Sequence, residues 1–151
     1  MSVGIGYDSH RFAEGRRLVL GGVEIDHPRG LAGHSDADVL THAVIDALLG
    51  AAASGDIGTL FPDDDDLWRD ADSIDLLRTV VGTVAGRIVN VDATLVCEEP
   101  RIGPFRAEME RILAEATSAR VCVKATTNEG MGAIGRGEGI ACTAVVLIEL
   151  S

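Results

Sequence analysis

The chain has 151 residues, of which 46% are hydrophobic and 3% aromatic, and its formal net charge is −11 at pH 7. This length favours a single domain over residues 1–151 with a sizeable aliphatic core. The acidic balance argues against a nucleic-acid partner, and no apolar run approaches the roughly 20 residues that cross a membrane. The first ten residues are partly acidic and polar and lack a signal-peptide pattern. We therefore expect a cytoplasmic protein, or an organellar one such as a plastid stromal protein if a targeting segment has been removed.

The N-terminal part of the chain predicts short strands. Residues 2–8 predict a strand whose glycines permit close approach of another backbone, and it ends in the triplet Asp8-Ser9-His10. Because side chains alternate along an extended chain, Asp8 and His10 project to the same face. Residues 16–25 predict two strands joined by a Gly-Gly bend, and a turn follows at residues 27–30.

The segment 33–63 predicts the central helix of the fold. Ser35 and Asp38 have the spacing of a capping box, so we expect the helix to begin near residue 36 and to end near residue 53. Apolar residues recur along it with the 3.6-residue period of a packed helix. Asp38, His42 and Asp46 form a second row, each one turn from the next. Packing of the helix does not require such a row of two carboxylates and an imidazole. The row therefore indicates a functional site.

The second half of the chain predicts two further helices and three strands. Asp72-Ser73 caps a helix that ends near residue 86. The next elements are a strand, a helix and two strands, over residues 88–97, 104–117, 121–126 and 140–150. In the first of these strands Val89, Val91, Ala93 and Leu95 are predicted to point inward. The fold class is therefore α+β: a mixed four-stranded sheet with helices packed on one face, plus a small N-terminal hairpin.

Three cysteines, Cys97, Cys122 and Cys142, lie in strand-like apolar segments without a CxxC spacing. Their number is odd, and their surroundings are those of packed side chains. We expect three buried, reduced thiols rather than disulfides or a thiolate metal site.

Asp8, His10 and His42 form a two-histidine, one-carboxylate set. This donor set suits tetrahedral Zn²⁺ with one position open for water or substrate. The spacing alone is weak evidence, and the alternative is a partly buried, hydrogen-bonded His42 beside a strand-end turn. Asp46, one turn from His42, is predicted to orient the imidazole from behind.

Two further segments are predicted to bind anions. His34 and Ser35 stand at the predicted helix N-terminus, where free amides and the helix dipole favour negative charge. The glycine-rich loop at residues 128–139 can wrap its amides around a phosphate, although residues 131–134 are also compatible with a long mobile loop. Side-chain donors come from Thr126, Thr127 and Arg136. Glu129, among these donors, indicates a second, hard cation such as Mg²⁺ on the bound phosphates.

A set of motifs runs through the whole chain in a fixed order. It comprises GYDSH at 6–10, GHSD at 33–36, Asp38 and His42, DALLGA at 46–51, GDIG at 55–58, FPD at 61–63, KATT at 124–127 and GRGEGIA at 135–141. In order and spacing, this set resembles the 2-C-methyl-D-erythritol 2,4-cyclodiphosphate synthase family, the cyclases of the non-mevalonate isoprenoid pathway. A single D-x-H is common in proteins, whereas the ordered set is specific.

The resemblance implies the roles of the site residues. Asp8, His10 and His42 would bind Zn²⁺, His34 and Thr127 would be catalytic, and Glu129 would hold Mg²⁺ or Mn²⁺ on the substrate diphosphate. The implied substrate-binding residues are Asp8, Ser9, His10, His34, Ser35, Asp56, Ile57, Gly58, Phe61, Pro62, Asp63, Asp65, Pro100, Thr126, Thr127, Asn128, Glu129 and Arg136. Residues 97–103 and 126–129 would form the cytidine pocket.

The resemblance also implies the reaction and the assembly. The 2-phosphate of 4-diphosphocytidyl-2-C-methyl-D-erythritol 2-phosphate would attack the β-phosphorus, releasing CMP and closing a ring. The family is a homotrimer with sites shared between neighbouring subunits, and in some members an isoprenoid diphosphate binds at the trimer axis, near the position of Arg136. This chain departs from the family pattern at Asn128, where threonine is usual, at Ala133, where an aromatic is frequent, and at the acidic pair 98–99 near the nucleotide pocket.

Two alternatives use the same residues. A metal-dependent phosphodiesterase would activate water at the metal and give a linear product. A non-catalytic trimeric module would bind metal or isoprenoid phosphate without turnover. The chain shows no Ser–His or Cys–His nucleophile pattern, as expected for an attacking phosphate that is already ionised at neutral pH.

Overall fold

Seven strands and five helices form the fold, which the computed structural model describes over residues 1–151. The strands are β1 (Ser2–Ala13), β2 (Leu18–Leu20), β3 (Val23–Ile25), β4 (Gly30–Leu31), β5 (Gly86–Val96), β6 (Arg120–Thr126) and β7 (Gly139–Leu150). The helices are α1 (Val39–Ala51), α2 (Ile57–Leu60), α3 (Ser73–Val81), α4 (Arg106–Thr117) and α5 (Gly132–Gly135). Short 3-10 turns cover Asp66–Trp68 and Gly103–Phe105. The predicted α+β class is confirmed.

The main sheet has five strands in the order β4-β1-β7-β5-β6, and β2 pairs with β3 as a separate hairpin. The β5–β6 pair is parallel and the other pairs are antiparallel, so the sheet is mixed as predicted. The predicted count of four strands is wrong because it lacks β4, which pairs with Phe12 and Ala13. A two-residue strand is too short to show a period of two, and this segment was predicted to be a turn.

Strand β1 continues beyond its predicted end. It pairs with β7 from Ser2 to Arg11, and Asp8 and His10 lie opposite Cys142 and Ile140. The Asp8-Ser9-His10 triplet therefore lies inside a long strand rather than at a strand end. The ladder on both sides of the triplet restrains the backbone that carries the two candidate ligands.

Helix α1 packs directly on β1 because β1 has glycine at the two points of contact. A Cβ at Gly4 would overlap the carbonyl oxygen of Ala47, and a Cβ at Gly6 would overlap that of Ala43. The expected close backbone approach is confirmed at both positions. It brings His42, on α1, beside Asp8 and His10.

The N-terminus of α1 differs from the predicted one. The cap is Asp38, whose side chain accepts from Thr41 N at 3.0 Å, and not Ser35. The same carboxylate accepts from Gly21 N and Gly22 N at 2.8 Å each and from Thr41 Oγ1 at 2.7 Å. Asp38 is fully buried, and it ties the β2–β3 turn to the helix start. It therefore belongs to the scaffold, and the helix ends at residue 51, earlier than predicted.

The later elements follow the predicted order with shifted bounds. Asp72 caps α3 by accepting from Ile74 N at 2.8 Å, as predicted, but the helix ends at residue 81. In β5 the register shifts between Ile88 and Asn90, so Ile88 rather than Val89 is buried. A bulge changes which residues face inward, and the alternation in the sequence did not reveal it.

The face of the sheet away from the helices carries exposed apolar side chains. Val3, Ile5 and Tyr7 of β1 are 66%, 69% and 63% exposed, and Val145 of β7 is 39% exposed. We call these four residues the outer apolar row. None of the helices has the length and hydrophobicity of a membrane-spanning segment.

The cysteine prediction is correct for two of the three residues. Cys97 and Cys142 are buried, and all three thiols are free. Cys122 is exposed, on a strand at the edge of the sheet. An alternating strand places every second residue outside, and the apolar run around Cys122 concealed this.

Candidate active site

Asp8, His10 and His42 meet at the contact between β1 and α1. Their ligand atoms all lie within 4.8 Å of one another. Asp8 Oδ2 is 2.8 Å from His10 Nε2 and 3.2 Å from His42 Nδ1, and the two ring nitrogens are 3.3 Å apart. The predicted two-histidine, one-carboxylate cluster is present, and it could hold a metal ion.

The hydrogen bond of His10 Nδ1, the ring nitrogen that points away from the cluster, determines whether Nε2, the nitrogen that faces the cluster, is protonated. His10 Nδ1 is 2.8 Å from the carbonyl oxygen of Ala32. A carbonyl only accepts, so Nδ1 carries the proton and, in the neutral ring, Nε2 presents a lone pair to Asp8 and His42. A backbone carbonyl behind the ring is a common arrangement for a metal-binding histidine.

The electrostatics of the cluster favour a cation. Burial raises the pKa of Asp8, but the hydrogen bonds and charges of His10 and His42 outweigh it and lower that pKa to about 2. Burial lowers the pKa of His10, but the hydrogen bond and charge of Asp8 and the Ala32 carbonyl raise it above its usual value. A partly buried carboxylate that stays ionised and two imidazoles facing it are the donors that a divalent cation prefers.

The contact predicted for Asp46 is absent. Asp46 Oδ1 accepts from Ile57 N at 3.2 Å and so links α1 to α2. The second nitrogen of His42, Nε2, instead lies 2.8 Å from Ser73 Oγ and 3.1 Å from Ser35 Oγ. The prediction from helical spacing was wrong because an i, i+4 pair shares a helix face without having to touch.

The predicted anion seat at His34 and Ser35 is not a helix N-terminus, because α1 begins four residues after Ser35. Asp36 N donates to the Ala71 carbonyl at 3.1 Å, and Ala37 N donates to Ser35 Oγ at 3.2 Å. Two amides that follow Ser35, those of Asp36 and Ala37, are therefore already used within the protein. The side chains remain available to a ligand, and His34 Nε2 donates to the Asp65 carbonyl at 2.8 Å.

A cavity of about 280 Å³ opens over the cluster, and we call it the metal cavity. Its lining is Asp8, His10, Gly33, His34, Ser35, His42, Ile57, Gly58, Phe61, Asp63, Trp68 and Leu76. Nine of these were named from the sequence. The side chains of Phe61 and Trp68 meet edge to face at 4.8 Å and form an apolar wall. Trp68, the single tryptophan of the chain, was the signal that could have identified this wall.

Four residues predicted around this cavity do not line it in the single chain. Ser9 is exposed, and it points away from Asp8 and His10 along β1. Asp56 caps α2 by accepting from Thr59 N and Thr59 Oγ1, each at 2.8 Å. Pro62 and Asp65 are not among the lining residues.

A second cavity, of about 340 Å³, lies at the end of the β5–β6 pair, and we call it the strand-end cavity. Its lining is Cys97, Glu98, Pro100, Arg101, Ile102, Gly103, Pro104, Ala125, Thr126 and Thr127. It contains the predicted Pro100, Thr126 and Thr127. It shares no lining residue with the metal cavity.

The glycine-rich loop is ordered by Glu98, which lies near the predicted nucleotide pocket. Glu98 Oε1 accepts from Asn128 N and Gly130 N at 3.1 Å each. Residues 132–135 form the short helix α5 rather than a long mobile loop. Asn128, Glu129 and Arg136 do not line the strand-end cavity, and Arg136 Nε pairs with Glu138 Oε2 at 2.7 Å.

Comparisons with known proteins agree on one family. The model of the YgbB family matches residues 1–149. A relative from Syntrophomonas wolfei named 2-C-methyl-D-erythritol 2,4-cyclodiphosphate synthase is 57% identical, over 99% of this chain and 99% of the relative.

Solved structures give the same result. The bifunctional IspDF from Campylobacter jejuni superposes with a TM-score of 0.92 at 40% identity, over 96% of this chain and 41% of that one. A 2C-methyl-D-erythritol-2,4-cyclodiphosphate synthase in a CDP-bound form superposes with a TM-score of 0.87 at 36% identity, over 97% and 99% of the two chains. The chain therefore belongs to the YgbB family of 2-C-methyl-D-erythritol 2,4-cyclodiphosphate synthases.

Proposed function

We propose that this enzyme converts 4-diphosphocytidyl-2-C-methyl-D-erythritol 2-phosphate to 2-C-methyl-D-erythritol 2,4-cyclodiphosphate and CMP, with Zn²⁺ held by Asp8, His10 and His42. The observation that carries the proposal is the convergence of these three ligand atoms in the wall of a cavity of about 280 Å³. The relatives bearing the synthase name match this chain from end to end. When bound, Zn²⁺ supplies a Lewis acid that polarises a phosphoryl oxygen.

The residues of the metal cavity bind and orient the erythritol phosphate. Ile57, Gly58 and Phe61 give it an apolar side, and His34 and Ser35 contribute polar groups beside the cluster. The 2-phosphate, with a second pKa of ~6, is already largely ionised at neutral pH, so no side chain has to act as a base. Positioning is then the main contribution, and it is worth ~7–11 kcal/mol in favourable intramolecular reactions. His34 and Thr127 stabilise the charge that develops on the transferred phosphoryl group.

The strand-end cavity takes the cytidine end of the substrate. It combines the rigid Pro100–Pro104 segment with the hydroxyls of Thr126 and Thr127. One of the similar solved structures is a CDP-bound form, which supports a nucleotide at such a site. Glu129, exposed beside this cavity, binds the second divalent ion, Mg²⁺ or Mn²⁺, on the diphosphate. Asn128 keeps a polar side chain at its position.

The active unit is a homotrimer in which the metal cavity of one subunit faces the strand-end cavity of its neighbour. Two observations support this assembly. The outer apolar row leaves three large side chains of β1 more than 60% exposed, and such patches mark interaction surfaces. The two cavities of one chain have no residue in common. Arg136, paired with Glu138, remains the candidate for binding an isoprenoid diphosphate at the trimer axis.

The proposal is tested by CMP release from the authentic substrate after removal of bound metal. Zn²⁺ and Mg²⁺ are added back separately and together to the full chain. We expect turnover only when both cations are present, because they occupy different sites. Full turnover in the presence of a chelator would contradict the proposed role of the cluster.

A further inference from the structure

His42 can serve as a metal ligand only if its inner nitrogen, Nδ1, is unprotonated. Nδ1 faces Asp8 Oδ2 at 3.2 Å and His10 Nε2 at 3.3 Å. A neutral imidazole carries its single proton on one of its two nitrogens, and the partner of the outer nitrogen selects which. For His10 that partner is a carbonyl, which settles the question. The Asp8 carboxylate can accept a proton from His42 Nδ1 at 3.2 Å, but its shorter contact, at 2.8 Å, is with His10 Nε2. On the outer side of His42 the partners of Nε2 are two hydroxyls, which can donate or accept.

The proton of Ser73 is already committed elsewhere. Ser73 Oγ donates to Asp36 Oδ1 in a short hydrogen bond, and Ser73 N donates to Asp36 Oδ2 at 3.1 Å. A hydroxyl has one proton, so Ser73 Oγ can only accept from His42 Nε2, at 2.8 Å. Ser73 is fully buried, so water cannot replace either partner.

Ser35 does not reverse this assignment. Its hydroxyl is 3.1 Å from His42 Nε2, farther than that of Ser73, and it also accepts from Ala37 N at 3.2 Å. If Ser35 donated to Nε2, the Ser73 oxygen and Nε2 would face each other at 2.8 Å as two acceptors. With the proton on Nε2, both hydroxyl oxygens can accept it, and Ser35 can direct its own proton into the metal cavity that it lines.

We propose that the hydrogen-bond chain Asp36–Ser73–His42 holds His42 in the Nε2-protonated tautomer and thereby directs its Nδ1 lone pair at Asp8 and His10. Ser73 and Asp36 are positioning residues for the metal centre, and they have the role that helical spacing assigned to Asp46. Both lie outside the α1 helix: Asp36 precedes it, and Ser73 begins α3. The inference deepens the proposed function and rests on its metal centre.

The test compares three variants of the full chain. Ser73→Ala removes the acceptor of the His42 proton. Asp36→Asn keeps the shape but weakens the acceptor that holds the Ser73 hydroxyl, since a neutral amide accepts less strongly than a carboxylate. Thr117→Val is the matched control, because its buried hydroxyl donates to the Leu113 carbonyl at 2.7 Å within α4, outside the lining of the metal cavity.

Two readouts are made on each variant. Zn²⁺ affinity is measured by competition with a chromophoric chelator, and the tautomer of His42 is read from its ring ¹⁵N signals in the metal-free chain at alkaline pH. We expect Ser73→Ala to lower Zn²⁺ affinity by about 10–100-fold, the usual effect of losing a partner behind a ligand, and to mix the tautomers. Asp36→Asn should shift both readouts in the same direction by less, and Thr117→Val should leave both unchanged.

Several results would overturn the inference. These are an Nδ1-protonated His42 in the unmodified chain, Zn²⁺ affinity of Ser73→Ala within twofold of the unmodified chain, or weakened affinity with an unchanged tautomer. If Ser73→Ala does not fold, Asp36→Asn decides by the same criteria. Failure of the unmodified chain to bind Zn²⁺ would contradict the proposed function. The tautomer is measured without metal, so the ¹⁵N signals would still test the inference in that case.

Discussion

The imidazole of His10 lies edge to face against that of His42, with ring centroids 5.4 Å apart and Nε2 of one ring 3.3 Å from Nδ1 of the other. Both ring nitrogens also contact Asp8 Oδ2. Three atoms that each present only lone pairs cannot satisfy one another. A cation placed among the three atoms would satisfy all of them. The donor set suits Zn²⁺, the cation that the proposed function assigns to it.

His42→Ala removes one of the three donors, and we expect it to abolish Zn²⁺ binding and CMP release. Only two protein donors then remain. The loss of Zn²⁺ affinity should therefore exceed the about 10–100-fold that follows when a ligand keeps its place but loses its hydrogen-bond partner. His27→Ala is the control, since His27 stacks on Phe12 at 5.5 Å and does not line the metal cavity. Isothermal titration with Zn²⁺ and a CMP assay measure both effects. Full cyclisation by a zinc-free His42→Ala chain would show that the cluster is not the metal centre.

Gly6→Ala should destabilise the fold by about 1–3 kcal/mol or more, as is typical when a group is forced into a packed core. The added methyl group would overlap the Ala43 carbonyl of α1, and backbone on both sides cannot move aside. Gly50→Ala, on the α1 helix that Gly6 contacts, is the control, because the nearest atoms to a Cβ at Gly50 are 3.9 Å away. That change should be neutral or stabilising by up to ~1 kcal/mol through helix propensity. Urea unfolding of both variants provides the comparison, and equal stability of the two would refute direct contact of α1 with β1.

Cys97 should react slowly with iodoacetamide at pH 8 in the folded chain, although it lines the strand-end cavity. Burial, with a smaller effect of the Glu98 charge, raises the pKa of Cys97 to about 11. The thiolate is the reactive form, so a rise of two units leaves roughly 100-fold less of it at pH 8. The rate should increase with pH until about 11, and the urea-unfolded chain should react fast at pH 8. Rapid modification of native Cys97 at pH 8, followed by peptide mass spectrometry, would contradict this.

Ile5→Lys tests the proposed trimer. A lysine in the outer apolar row would place three charges together at a buried interface, so we expect monomers in sedimentation and loss of CMP release. Leu67→Lys is the control for assembly, because Leu67 is 72% exposed on a turn outside the sheet. An Ile5→Lys chain that still sediments as a trimer would place the interface elsewhere.

Local residue patterns predicted part of the fold and site, and the failures have physical causes. The apolar period located α1, and the alternation of β1 placed Asp8 and His10 on one face. The cap of α1 was missed because Asp38 is chosen by tertiary contacts with Gly21 and Gly22, which a local capping box does not contain.

The environment of His42 could not be predicted for the same reason. Asp46 is its neighbour in sequence spacing, whereas Ser73 is 31 residues away and reaches Nε2 only because α3 packs against α1. Asp36 contacts Ser73 across 37 residues. Side chains behind a ligand are set by tertiary packing, and a single sequence carries little signal for them.

The product of the reaction tests the central claim most directly. The full chain is incubated with 4-diphosphocytidyl-2-C-methyl-D-erythritol 2-phosphate, Zn²⁺ and Mg²⁺, and the product is examined by ³¹P NMR. An attack by the 2-phosphate predicts two coupled phosphorus signals of a cyclic diphosphate, formed in equal amount with CMP. A linear phosphate product, or bound substrate without turnover, would contradict the account and favour a phosphodiesterase or a binding module at the same cluster.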